Sequence, residues 1–303
     1  MSNSAIIRPQ PSVVVLLSIA LIGISASGPL IALTTAPALA IAFWRCFLGT
    51  AFTVPFALKG LRAEVGRVTP RVRWLALGAG VLLGLHFATW IPSLRFTSVA
   101  SSIALIATQP VWAALIARFR GAYVPRRTWV GIGIALIGVV VLTGVDFSLD
   151  PQALIGDALA LAGAIFAAAY VTAGQEVRAS VSTRTYTVLA YGSAALTLLV
   201  VVGLTRTPLS GWSLRDWGLI LLLTLVAQIL GHTLINVALK RTSATVTSFA
   251  ILFELPGSII FAAILLGQVP AWSLVPALVL LFIGLLVVIS GSRGNQPVEE
   301  SPI

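Results

Sequence analysis

Few residues in this chain are equipped for chemistry, and nearly all of them fall inside long apolar runs. The two histidines are His86 and His232. His86 and Trp90 stand four apart, as do Gln228, His232 and Asn236, so each set occupies one face of a helix. Glu254 is the acid nearest the middle of a run, and Gln109 beside Pro110 is its approximate counterpart in the first half. Trp112 lies deep in its run, and Tyr170 and Tyr191 also fall within runs. Polar groups in hydrocarbon are costly and face a bundle interior or a watery cavity. The candidate substrate-binding and cavity residues are therefore His86, Trp90, Gln109, Trp112, Tyr170, Gln228, His232, Asn236 and Glu254. Glu254 is the proton-coupling candidate, because an acid at that depth can exchange a proton or pair with a substrate ammonium. Arg45 is the guanidinium at or inside a run. It either snorkels to the interface as an outer-end anchor or binds a substrate carboxylate. Each functional reading has a structural rival: interhelical hydrogen bonds of about 0.6 kcal/mol for the polar stripes, and packing for the aromatic rings.

Enzyme chemistry finds no support. HExxH, GxSxG, Walker A and Cys/His metal spacings are all missing from the sequence. No catalytic residue, cofactor or metal is expected, and without a Walker A motif ATP is not the direct energy source. Cys46 is the single cysteine, which excludes an intrachain disulfide.

The elements that position these groups follow from composition. Of 303 residues, 58% are hydrophobic and 9% charged, with a mean hydropathy of +1.03. A soluble domain carries about 25% charged residues, so soluble, secreted and disordered classes are excluded. Apolar runs fall at about 13–33, 39–58, 73–94, 98–118, 128–144, 154–176, 183–204, 216–239, 244–266 and 272–290. Each is long enough to cross a bilayer as a helix. The expected fold is an all-α membrane protein of ten transmembrane helices, with no room for an extramembrane domain. The first run follows Arg8 and could imitate a signal peptide, but its length and its place in the repeat favour retention.

The net charge of +10 is a topology signal and not a nucleic-acid footprint. With the N-terminus inside, fifteen lysines and arginines fall on inner segments and three on outer ones. Both termini are therefore expected in the cytoplasm. Six tryptophans (Trp44, Trp74, Trp129, Trp212, Trp217, Trp272) stand at run ends, where an aromatic belt places them. Pro29, Pro55, Pro92, Pro110, Pro256 and Pro276 are kink candidates, and Gly80 with Gly84 is a small-xxx-small pair for close helix approach.

The two halves repeat. Leu94-Arg95-Phe96-Thr97-Ser98 recurs as Leu239-Lys240-Arg241-Thr242-Ser243, and Pro110 recurs as Pro256. Gly121 with Val124-Pro125 recurs as Gly267 with Val269-Pro270, and Ile137-Gly138 as Ile283-Gly284. Five spans per half is an odd number, so the second copy enters the membrane from the opposite side. The expected units are 1–144 and 145–303, a pair of inverted repeats of the kind from which alternating access arises.

The five-span unit, with Arg45 heading the second span, the Thr-Ser turn, the proline-bearing fourth span and the glycine-punctuated fifth, resembles the EamA-type unit of the drug/metabolite transporter superfamily. The resemblance covers about 13–144 and 154–290 and is most like the YddG-type exporters of aromatic amino acids. It implies a multi-pass carrier of the inner (plasma) membrane, bathed in lipid, that exports amino acids and related small metabolites. Other members carry drug-like cations or different metabolites. An intramembrane enzyme is the reading from another class. Many members have Gly-Glu after the fourth and ninth spans, whereas this chain has Gly121-Ala122 and Gly267-Gln268. Nucleic acid is not an expected partner, and the oligomeric state is left open.

Overall fold

The computed structural model describes residues 11–121, 123–178, 180–232, 234–235, 251 and 253–291, and among these there is no strand. The chain forms α1 (Pro11–Ser25), α2 (Ser27–Leu33), α3 (Ala38–Arg67), α4 (Pro70–Ser93), α5 (Val99–Ile106), α6 (Gln109–Phe119) and α7 (Arg126–Leu149). After these come α8 (Ala153–Arg178), α9 (Thr183–Thr205), α10 (Leu214–Leu223), a π-helix (Thr224–His232), α11 (Glu254–Leu266), a 3₁₀ turn (Trp272–Leu274) and α12 (Val275–Gly291). Starts are marked by hydroxyl caps. Ser98 accepts the Ser101 N–H at 3.0 Å, and Ser182 and Ser213 cap α9 and α10 in the same way. Gly121 and Gly267 end their helices with φ of 88° and 66°.

Seven of these segments are long and apolar enough to cross a membrane: Pro11–Leu33, Ala38–Leu58, Pro70–Ser93, Val99–Phe119, Ala153–Arg178, Thr183–Thr205 and Leu214–Gly231. Shorter apolar helices run over Glu254–Leu266 and Trp272–Val288. Large apolar side chains face outward along them, with Leu204 80% and Ile264 72% exposed. Apolar surface of that extent needs lipid as its solvent. The predicted eighth and ninth runs (216–239 and 244–266) lie partly outside the described residues.

Two of the spans are not continuous helices. Pro29 has no N–H to return to the Ser25 carbonyl, so the first span breaks at Ala26 into α1 and α2. The freed Ser25 carbonyl accepts the Ser258 hydroxyl at 2.9 Å, which docks α11 against the break. Likewise the fourth span breaks at Ala107-Thr108 just ahead of Pro110, where the Thr108 hydroxyl bonds back to the Leu105 carbonyl at 2.6 Å. The eighth span winds as a π-helix over 224–232, the wider geometry that recurs at functional positions.

The helices pack as α7 on α12, α4 on α8 and α9, α3 on α9, α1 on the π-helix, and α11 on α1, α2 and α5. Gly80 and Gly84 meet Ala190, Ser193, Ala194 and Thr197 of α9, as their spacing predicts. A core of Ile31, Ile41, Leu83, Ile91, Ile103, Leu105, Leu198 and Leu281 runs through the middle.

One end of the bundle is tied by polar bonds. Asp216 closes a capping box with Ser213 and also takes the Thr35 N–H and hydroxyl, both at 2.8 Å. Beside it Arg95 Nη2 donates to the Thr34 and Ala36 carbonyls at 2.6 and 3.0 Å. Asp216 is 2% exposed, so Asp216→Ala strands two donors at Thr35. That substitution is expected to cost about 2 kcal/mol, read as a lower thermal midpoint in detergent, with Asp216→Asn milder. At the opposite end Glu176 bridges Arg71 (2.8 Å) and Arg120 (3.0 Å); these are exposed pairs that contribute little. There too Glu64 accepts the Ser182 N–H at 3.0 Å, and that bond together with the Ser182 hydroxyl holds its carboxyl below the usual carboxylate range. The contact is therefore complete at neutral pH and is lost as the pH falls through the depressed value.

The tryptophan belt holds in part. Trp74 and Trp272 are 73% and 89% exposed at helix ends. Trp44, Trp212 and Trp217 instead pack on one another, with ring centroids 5.0 Å apart for Trp44–Trp217 and 5.3 Å for Trp212–Trp217. The Trp44 indole N–H donates to the Leu209 carbonyl at 2.8 Å.

Candidate functional site

The polar centre of the bundle is Arg45. It lies seven residues into α3, about 10 Å below the helix end at 1.5 Å per residue, and is 1% exposed. The expectation that it snorkels as an outer-end anchor is corrected by this placement. Its Nε donates to Gln228 Oε1 at 2.6 Å and its Nη1 to Ser27 Oγ at 3.2 Å. Its guanidinium carbon sits 4.4 Å from the centre of the Phe87 ring and 5.9 Å from that of Trp90. Burial strengthens such ring-face attraction to a cation.

Each partner is positioned by a feature of its own helix. Ser27 opens α2 at the proline-induced break. Gln228 is carried by the π-helix and is 1% exposed. Gly49, one turn below Arg45, makes room for the Gln228 amide: a Cβ there would run into that amide and displace it, and would meet Tyr191 at 3.4 Å. His86 and Trp90 stack at 5.6 Å with an interplanar angle of 19°, the outcome expected of a four-residue spacing. The His86 Nδ1 lies 2.9 Å from the Gly163 carbonyl of α8, an orienting bond that fixes the ring against Trp90.

Glu254 and Gln109 line a separate small cavity of about 120 Å³ together with Ile103, Ala107, Pro110 and Leu255. It sits where the α5–α6 break faces the start of α11. Glu254 is on the wall of this cavity, whereas Arg45 is not among the residues that line it.

The candidates thus divide. His86, Trp90 and Gln228 gather around Arg45, and Gln109 and Glu254 share the cavity. Trp112 is half-buried and donates its indole N–H to Thr108 Oγ1 at 3.1 Å, bracing the break. Tyr170 stacks on Tyr186 at 6.3 Å in another cluster with Ala76, Ala173 and Val177. The His232 side chain and all of Asn236 lie outside the described residues. Sequence reasoning passed over Ser27, Phe87 and Gly49. A glycine one turn from an intramembrane arginine was the available signal. Among the described residues no cluster of His, Cys, Asp and Glu could hold a metal ion.

Apolar helices broken around buried polar side chains are an arrangement that membrane transporters use. The model of the EamA-like transporter family matches residues 11–144 and again 154–290. This chain belongs to the EamA-like transporter family, and so to the multi-pass membrane transporters of small molecules within the drug/metabolite transporter superfamily. No curated protein matches the sequence. A solved crystal structure shares the fold at 19% identity, with a TM-score of 0.64 over 93% of this chain and 98% of that one. Beside Gly267, Gln268 Oε1 accepts the Val99 N–H at 3.4 Å and so reaches the start of α5.

Proposed function

We propose that this protein is a secondary transporter that exports amino acids, aromatic and neutral ones foremost, by alternating access between two inverted five-helix repeats, 1–144 and 145–303. The observation that carries the reading is the pairing of the helices. The third span (α4) packs on the sixth (α8), and the eighth (α10 with the π-helix) packs on the first (α1 and α2). The fourth (α5, α6) packs on the sixth, and the ninth (α11) on the first. Exchanging the halves turns each pair into its mate, while α7–α12, α3–α9 and α5–α11 map onto themselves. The double family match supports the same division. Such a pseudo-twofold would place substrate near the midplane between halves, and the buried Arg45, Glu254 and the helix breaks are the candidates to line it. The excess of arginine and lysine on the 59–73, 118–127 and 178–184 segments supports cytoplasmic termini and an inner-membrane location.

Amino-acid preference draws on the YddG-type resemblance and on aromatic rings beside a buried cation. Drug-like cations suit the site less well, since Arg45 repels them. Glu254 is the coupling candidate, because a carboxyl on a cavity wall can gain or lose a proton as the wall changes sides. The test is uptake of labelled phenylalanine, tryptophan, threonine and a cationic dye into liposomes, with and without a pH gradient. Gradient-driven accumulation that Glu254→Gln reduces to gradient-independent flux is the expected result. Saturable amino-acid flux indifferent to the gradient in both proteins removes Glu254 from coupling. Dye flux alone overturns the amino-acid assignment.

A further inference from the structure

We propose that Arg45, Gln228 and Trp90 form a carboxylate-binding site, so that the molecule carried must present a carboxylate group. This deepens the carrier reading and rests on it. Among the described residues no carboxylate oxygen lies within 4.0 Å of the Arg45 guanidinium; the ion pairs there both belong to Glu176. Its partners Gln228 Oε1 and Ser27 Oγ are neutral oxygens, so a full positive charge is buried without a contacting counterion.

Two more donors belong to side chains that touch or flank Arg45. Gln228 Nε2 and Trp90 Nε1 are both buried, in residues 1% and 4% exposed, and neither has a hydrogen-bond partner among the described residues. Buried polar groups are normally satisfied, and one left open calls for a reason. Neighbouring side chains of α3, α4 and the π-helix thus leave two buried donors without an acceptor among the described residues. A carboxylate supplies what is missing: two oxygens, about four lone-pair sites and one negative charge for one guanidinium. A dianionic phosphate matches less well, because a single cation neutralises half of it. Phe87 and Trp90 flank the guanidinium carbon at 4.4 and 5.9 Å, and the N–H edge suits the bidentate approach that arginine favours. Gln228 holds that edge in the described arrangement. Its position on a π-helix gives the side chain a register that a ligand oxygen can take over.

The test uses the full-length protein in detergent and probes that differ by one group: phenylalanine, 3-phenylpropionate and phenylalaninamide. Affinity is read from the rise of the thermal midpoint with concentration. Both acids are expected to bind at least tenfold more tightly than the amide. Trp90→Phe keeps the ring and removes one donor. It is expected to weaken both acids about tenfold while its own midpoint stays near the unmodified protein's. Arg45→Lys is expected to weaken them further and to shrink the acid-to-amide ratio. The proposal is overturned if the amide binds as well as the acids, if neither acid binds, or if both variants keep the ratio while losing only stability. Binding of 3-phenylpropionate with this selectivity, alongside no amino-acid flux in liposomes, supports the site and overturns the export reading alone.

Discussion

Arg45→Met is expected to reduce transport by about a hundredfold while leaving the protein folded. Two opposing effects govern its stability. The substitution removes a charge from a low-dielectric interior, which is favourable. It also strips Gln228 Oε1 and Ser27 Oγ of their donor, at about 1–3 kcal/mol for each group left open. Methionine retains the apolar volume between Phe87 and Trp90. The net change in stability is therefore expected to be below about 2 kcal/mol. Transport has no such compensation, because truncating one partner of a buried charge contact costs about 2–5 kcal/mol of binding. Unfolding midpoint and initial uptake rate, measured on the same preparation, separate the two effects. A parallel fall in both makes Arg45 a structural residue.

Gly284→Val is expected to have the largest effect on folding. The α7–α12 contact is backbone on backbone. A Cβ at Gly284 would stand 2.5 Å from the Ala135 nitrogen and 2.8 Å from its Cα. Facing it, a Cβ at Gly131 would stand 2.5 Å from the Val288 nitrogen. Flexible side chains can yield to an intruding methyl, but two helix backbones cannot, so the helices must part. The expected loss is about 3 kcal/mol, at the upper end for overpacking, read as a lower midpoint and loss of a monodisperse elution peak. Gly133, two residues from Gly131 and with open space around it, is the control. Gly133→Ala is expected to be neutral or to stabilise α7 by up to about 1 kcal/mol.

Features set by spacing along one helix were legible in the sequence. His86 and Trp90 stack because they are four apart, and Gly80 with Gly84 meets α9 closely because small residues at that spacing expose a groove. The apolar runs gave most of the helices. Features set by which helix lies beside which were not. Arg45 and Gln228 are 183 residues apart, and nothing in the local pattern of either names the other. Lipid is as apolar as leucine, so hydropathy cannot choose neighbours for a membrane helix. The same reason hid the Trp44–Trp217 contact inside an apparent interfacial belt and sent Tyr170 to Tyr186. The helix break at Ala26 was encoded in Pro29, but its consequence depends on Ser258, far along the chain. Gln109 and Glu254, approximate counterparts in the two halves, line one cavity, a neighbourhood their local patterns do not encode.

The claim on which all of this turns is that a small carboxylate-bearing metabolite crosses by alternating access. Counterflow in liposomes addresses it directly: labelled phenylalanine outside, with unlabelled phenylalanine trapped inside. The account predicts saturable uptake that the internal substrate accelerates and that Arg45→Met lowers about a hundredfold. Uptake that rises linearly with concentration and ignores the internal pool, or no amino-acid uptake by a folded protein, would contradict it.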